Sequence, residues 1–204
     1  MPPRTKKTTH QLSASEIKHH SPIKNGHFKH SKDFNEDEPV TSYNKIMSKI
    51  YLGNIDASKD KDFFKDKNIK AVLNCSKDIP NTFKNYDVEY MRIPVDDSLK
   101  VVDYSKMYHY LPVAVEFIYK HAVLQKNSIL IHCYAGRQRS AACIAAFLMT
   151  YHNLTPYEAC LYLTKKRIEA FHFNLSLNFE QSLEEFYKDI KKCPKKIRQP
   201  KFKD

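Results

Sequence analysis

One stretch leaves this chain little choice of fold. Asn127-Ser128-Ile129-Leu130-Ile131-His132 runs into Cys133-Tyr134-Ala135-Gly136-Arg137-Gln138, and then into Arg139-Ser140-Ala141-Ala142-Cys143-Ile144-Ala145-Ala146-Phe147-Leu148-Met149. The first segment is short, apolar and β-rich, the best candidate for a central strand. The last has the composition of a helix, starting at Arg139 or Ser140 and running to about Tyr151. Six residues join them, so the chain must turn sharply from strand into helix. The amides of that turn can point into one concavity, and the positive end of the helix dipole points there too. Such a turn is an anion site of the size of a phosphate dianion.

The flanking pattern agrees. Ser48-Lys49-Ile50-Tyr51-Leu52-Gly53-Asn54 reads as a strand closed by a glycine turn, and the fold is expected to start there. Lys70–Asn74 and Glu89–Val95 read as further strands. Helices are expected over Asp56–Lys67 and over Asp103–Leu124, the latter with Pro112 as a kink or late start. Thr155-Pro156 opens another helix as N-cap and first residue, and a last one spans Asn178–Lys191. Strands alternating with helices predict an α/β fold with a twisted, largely parallel central sheet flanked by helices. The domain is expected over residues 45–190. Residues 1–44 are rich in Lys, His, Ser and Thr and read as a solvated tail, and 191–204 as a second basic tail.

Charge and cysteine usage narrow the function classes. The net charge of +11 attracts anionic partners: phosphorylated substrates, an anionic membrane or RNA. No apolar run approaches the roughly 20 residues of a membrane-spanning helix, and no apolar stretch follows the N-terminal Met1-Pro2-Pro3. The five cysteines are odd in number and contain no C-x-x-C pair, so reduced thiols in the cytoplasm or nucleus are expected rather than a secreted disulfide framework. Cys75, Cys143 and Cys160 lie in apolar stretches and read as small core residues; Cys193 sits in the lysine-rich tail. The core offers no metal-ligand spacing, and no cofactor is expected.

In the turn, Cys133 lies at the base of the concavity. The amides, the helix dipole and Arg139 all favour its thiolate, a strong nucleophile. Arg139 can grip two phosphoryl oxygens with its planar fork. Ser140 can donate to the sulfur and help it leave. His132, still on the strand, suits orientation better than base catalysis. Gly136 is one of only three glycines in the chain, which points to a backbone geometry that other residues resist. Cys-x5-Arg alone would arise in roughly one chain in seven of this composition; with the preceding His, the internal Gly and the following Ser, coincidence falls to about one in 10⁵.

Ile131–Ser140 resembles the His-Cys-x5-Arg-Ser/Thr signature of the cysteine-dependent protein tyrosine phosphatases, in particular their dual-specificity branch. The resemblance extends to Ile50–Asn54, Val72–Ser76, Ile93–Ser98, Ala145–Met149 and Asn178-Phe179, which spans roughly residues 45–190. It implies Cys133 as nucleophile, Tyr134, Ala135, Gly136, Arg137, Gln138 and Arg139 as the phosphate-binding loop, and a phosphocysteine intermediate without metal. A general acid is also needed to protonate the leaving oxygen. Asp96 and Asp97 both follow a strand, and alternation places them on opposite sides. The family pattern matches the second, Asp97, with Asp96 as the alternative.

The chain shows no segment that would build a deep phosphotyrosine-recognition wall. A shallow pocket implies protein phosphotyrosine and phosphoserine/threonine as substrates. Arg137 is the departure: a basic residue there resembles phosphatases of multiply charged phospholipid head groups. Tyr134 stands where some of those enzymes carry a second basic residue. An RNA 5′-phosphatase would carry His and Asn in the loop, which are missing. A phosphate-binding scaffold without turnover is the other alternative, although the cysteine, arginine and acid are all present.

Overall fold

The computed structural model describes residues 41–98, 100–171 and 177–192. Most of each tail, Cys193 included, lies outside them. Five strands form one sheet: β1 (Tyr43–Met47), β2 (Ile50–Gly53), β3 (Ile69–Asn74), β4 (Glu89–Arg92) and β5 (Ser128–His132). Their order is β1-β2-β5-β3-β4. β1 pairs with β2 antiparallel, and the other three pairings are parallel.

β5 takes the middle position because it is apolar on both faces. Ile129 and Ile131 enter the large core, made with α2 (Val101–Ile118), α3 (Arg139–Tyr151), α4 (Pro156–Lys166) and α5 (Leu177–Lys192). Leu130 faces the other way, into a smaller aromatic core with α1 (Lys61–Asp66), where it joins Tyr51, Phe63, Phe64 and Phe83. α3 is enclosed almost completely: every residue from Ser140 to Thr150 is buried. Its alanines keep it thin enough to lie between the sheet and its neighbouring helices. α4 starts as expected. Thr155 Oγ1 accepts from Glu158 N at 3.2 Å, Glu158 Oε2 accepts from Thr155 N at 2.8 Å, and Pro156 takes the first helical position.

Three elements differ from expectation. The fold begins before Ser48, because Tyr43–Met47 adds an edge strand. Ile46 is buried, and Tyr162 donates its hydroxyl to the Ile46 carbonyl at 3.1 Å. The Asp56–Lys67 helix is interrupted: a 3-10 turn over Ala57–Lys59 ends where Asp60 caps α1 by accepting from Phe63 N at 2.9 Å. Pro112 neither starts nor ends α2, which runs through it and continues as a π-helical turn over Tyr119–Leu124.

Register decides where the chemistry falls. Gly53 of β2 and Asn74 of β3 both lie opposite His132 of β5. Three parallel strands therefore end together, and the chain leaves them at Cys133. That is the carboxyl edge of the sheet, where open α/β folds hold ligands.

Candidate active site

The loop from Cys133 to Gln138 leaves the central strand and feeds α3. Its sulfur has two donors: Ser140 Oγ at 3.2 Å and Gly136 N at 3.3 Å. Cys133 is buried. Donors of this kind stabilise a thiolate more than a thiol. The three cysteines expected in the core are all there, fully buried. Burial pushes the Cys75 and Cys160 thiols well up, which keeps them protonated.

Gly136 answers the demand the sequence made of it. Its φ is +67°, and a Cβ there would lie 2.5 Å from the Gly53 carbonyl oxygen. The loop thus closes directly on the end of β2. Gly53 is equally confined: a Cβ on it would meet Ala57 Cβ at 2.8 Å. Ile55 N also donates to the Tyr134 carbonyl at 2.9 Å, a second tie between the loop and the exit of β2. The Tyr134 ring itself is exposed.

Arg139 is half-enclosed beside the loop. Its Nη1 approaches the Val95 carbonyl at 3.4 Å, and its Nε lies 3.9 Å from Asp97 Oδ2. The segment after β4 therefore carries Asp97 to the loop. Asp96 turns away and pairs with Lys77, which holds its carboxyl below the usual range. Asp97 moves in the opposite direction: burial raises its carboxyl, Asp103 adds to the rise, and Arg139 opposes it. A raised carboxyl keeps its proton to higher pH, as a general acid must. The neighbouring aspartates are exposed to a similar degree, with side chains 44% and 40% accessible, and their partners separate them: Asp96 pairs with Lys77, while Asp97 lies beside Arg139.

His132 is buried, and loss of hydration pushes its imidazole down to about 4. It is neutral near pH 7 and sits beneath the loop, a scaffold position.

Three neighbours of the loop and of the segments beside it were not legible in the sequence. Arg92 on β4 gathers the exit of β3, donating to the Ser76 and Ile79 carbonyls at 2.8 Å each. That fixes the turn from which Lys77 reaches Asp96. Arg167, after α4, is buried against the outer side of the Cys133–Gln138 loop. Its Nε donates to the Gly136 carbonyl at 3.1 Å and its Nη2 to the Ala135 carbonyl at 3.3 Å. Its Nη1 reaches back to the Thr41 carbonyl at 2.9 Å and Asn44 Oδ1 at 2.7 Å. Glu169 joins Arg167 to Arg137, lying 2.5 Å from the first guanidinium and 3.1 Å from the second. In the sequence these residues continue a Lys165-Lys166 run and look like a solvated helix end.

Residues 50–189 match the family described as dual specificity phosphatase, catalytic domain. Over 144 residues the chain is 34% identical to dual specificity protein phosphatase Mpk3 of Drosophila melanogaster, covering 68% of this chain and 34% of that protein. Over 143 residues it is 33% identical to dual specificity protein phosphatase 9 of Homo sapiens, covering 68% and 36%. The chain thus spans about a third of the length of these two curated relatives. The crystal structure of DUSP15 superposes with a TM-score of 0.66 at 26% identity, over 76% of this chain and 92% of that one. The signature loop, the parallel sheet that presents it and the match over residues 50–189 lead to one conclusion: this chain belongs to the dual-specificity phosphatase catalytic-domain family of cysteine-dependent phosphatases.

Proposed function

We propose that this chain hydrolyses phosphate monoesters on proteins, phosphotyrosine as well as phosphoserine and phosphothreonine, through a phosphocysteine on Cys133. The observation that carries the reading is the sulfur, held at the base of the loop by Ser140 Oγ at 3.2 Å and Gly136 N at 3.3 Å. Family membership and the names of the relatives support the substrate class.

The reaction divides into two displacements. The Cys133 thiolate attacks phosphorus, and the S–P bond forms as the bond to the substrate oxygen breaks. Arg139 holds the non-bridging oxygens and follows their charge into the transition state. Asp97 gives its proton to the departing oxygen. Water then attacks phosphorus and passes a proton to the Asp97 carboxylate. The S–P bond breaks, which returns the thiolate and releases inorganic phosphate. The Ser140 hydroxyl steadies the sulfur as it leaves. A neutral His132 takes no proton in either step. The cytoplasm or nucleus is the compartment proposed, since a reducing environment keeps such a thiol from forming disulfides.

The lipid alternative rested on Arg137. Its pairing with Glu169 weighs against a guanidinium given over to a second phosphate. A turnover panel of phosphotyrosine peptide, phosphothreonine peptide, phosphoinositide vesicles and triphosphorylated RNA tests the choice. Comparable rates on the two peptides and little on the others are expected; a dominant lipid or RNA rate would overturn it. Cys133→Ser should fall to the uncatalysed background and release no burst from an aryl phosphate. If wild type and Cys133→Ser were equally inactive, the scaffold alternative would stand. Asp97→Asn should lose about 10²–10⁴-fold on an alkyl phosphate and much less on one with a good leaving group. Loss on Asp96→Asn instead would move the acid to Asp96.

A further inference from the structure

The segment after α4 lies along the phosphate loop as a strap. Its alternate residues 167, 169 and 171 each grip the loop. Arg167 donates to the Ala135 and Gly136 carbonyls, Glu169 pairs with the Arg137 side chain, and Phe171 N donates to the Arg137 carbonyl at 3.1 Å. Two of the three residues, Arg167 and Phe171, hold backbone carbonyls and set the loop's shape. The third residue, Glu169, holds a charge.

That charge sits in the loop that binds the substrate. Arg137 is two residues from Arg139, and its side chain is 39% exposed, whereas the Glu169 side chain is 9% exposed. A buried carboxylate has to be paired. Glu169 shares its two oxygens between a buried guanidinium and a half-exposed one, so it is anchored on the Arg167 side and holds Arg137 on the other. The loop consequently offers Arg139 to the scissile phosphate, while its second cation is already occupied.

From this we infer that Glu169 is a specificity-determining residue: by neutralising Arg137 it keeps the site selective for a single phosphate, against substrates that carry a second anionic group beside the scissile one. The inference rests on the phosphatase reading above. An incoming second anion has to compete with a carboxylate already within ion-pair distance of Arg137 and is also repelled by it. With the carboxylate gone, an incoming second anion meets neither that competition nor that repulsion at Arg137.

The test compares kcat/KM for phenyl phosphate with kcat/KM for phenyl phosphates bearing an ortho, meta or para carboxylate. The carboxylate's electronic effect on the leaving group is common to all variants and cancels in their comparison. Glu169→Gln is expected to raise the carboxylate-to-plain ratio roughly threefold to tenfold for at least one isomer, the scale of one unit charge at partly screened separation. Adding Arg137→Gln should return the ratio to the wild-type value. A purely structural Glu169 would change all the rates together and leave the ratio alone. An unchanged ratio in Glu169→Gln, or a gain that survives in the double variant, overturns the inference. If Glu169→Gln does not fold, as judged by circular dichroism, Arg137→Gln alone decides. A ratio within about twofold of wild type supports a neutralised Arg137; a large fall shows that Arg137 already serves a second anion and overturns it. If wild type shows no Cys133-dependent turnover of phenyl phosphate, the phosphatase reading itself fails and this inference falls with it.

Discussion

Asp96 and Asp97 show how little separates a surface carboxylate from a candidate catalytic acid. The two are adjacent in sequence, chemically identical and similarly exposed, yet one pairs with Lys77 and the other lies beside Arg139. The difference in surroundings has a thermodynamic sign. The Asp97 carboxyl is raised in the folded state, so its contribution to stability is fully present below the ordinary carboxylate value near 3.8 and is lost as pH rises through the higher folded value. Above that range the native state carries a charge that burial disfavours more than Arg139 favours. Asp97→Asn should therefore be at least as stable as wild type at pH 7 while losing the acid catalysis proposed for it. Its stability advantage should vanish below about pH 4. Thermal unfolding at the two pH values checks this, and a variant less stable at pH 7 than at pH 4, relative to wild type, would contradict it.

Among the elements, β1 departs furthest from what composition implied. Tyr43-Asn44-Lys45-Ile46-Met47 has one strongly apolar residue that is buried and follows a Lys- and His-rich stretch, so nothing in it announces a strand. It becomes one because β2 offers an open edge, Tyr162 takes the Ile46 carbonyl, and Arg167 reaches Asn44. The edge strand thereby supports the residue that holds the Cys133–Gln138 loop from behind. Ile46→Ala should cost about 2–4 kcal/mol in urea unfolding, as expected for truncating an enclosed isoleucine. A silent substitution would place Ile46 in a solvated tail after all. α3 is the opposite case. Its alanine-rich apolar run, the serine at its second position and the strand before it were plain in the sequence, and the helix begins at Arg139 as expected.

At the scale of the whole molecule, acid sensitivity follows from the sheet's centre. His132 lies at the end of the middle strand, where burial holds the imidazole at about 4 against an ordinary 6.5. The folded state binds this proton less readily than the unfolded one. Stability is therefore complete above about pH 6.5 and falls as pH drops toward 4, by on the order of 3 kcal/mol from this group. Unfolding free energies of wild type and His132→Gln, measured at pH 7.5 and 4.5, should converge at the lower pH; parallel curves would remove His132 as the cause. The sequence by itself determined the strand–loop–helix unit, the parallel α/β fold, and Cys133, Arg139 and Ser140 as one group. Those residues are neighbours along the chain, and local geometry brings them together. Only the tertiary structure decided which aspartate faces the loop, that β1 belongs to the sheet, and that Arg167 and Glu169 stand behind Ala135, Gly136 and Arg137. Those contacts join positions some 30 to 120 residues apart in the chain. Their side chains are charged and look solvated in sequence, and burial gives them partners that no local pattern encodes.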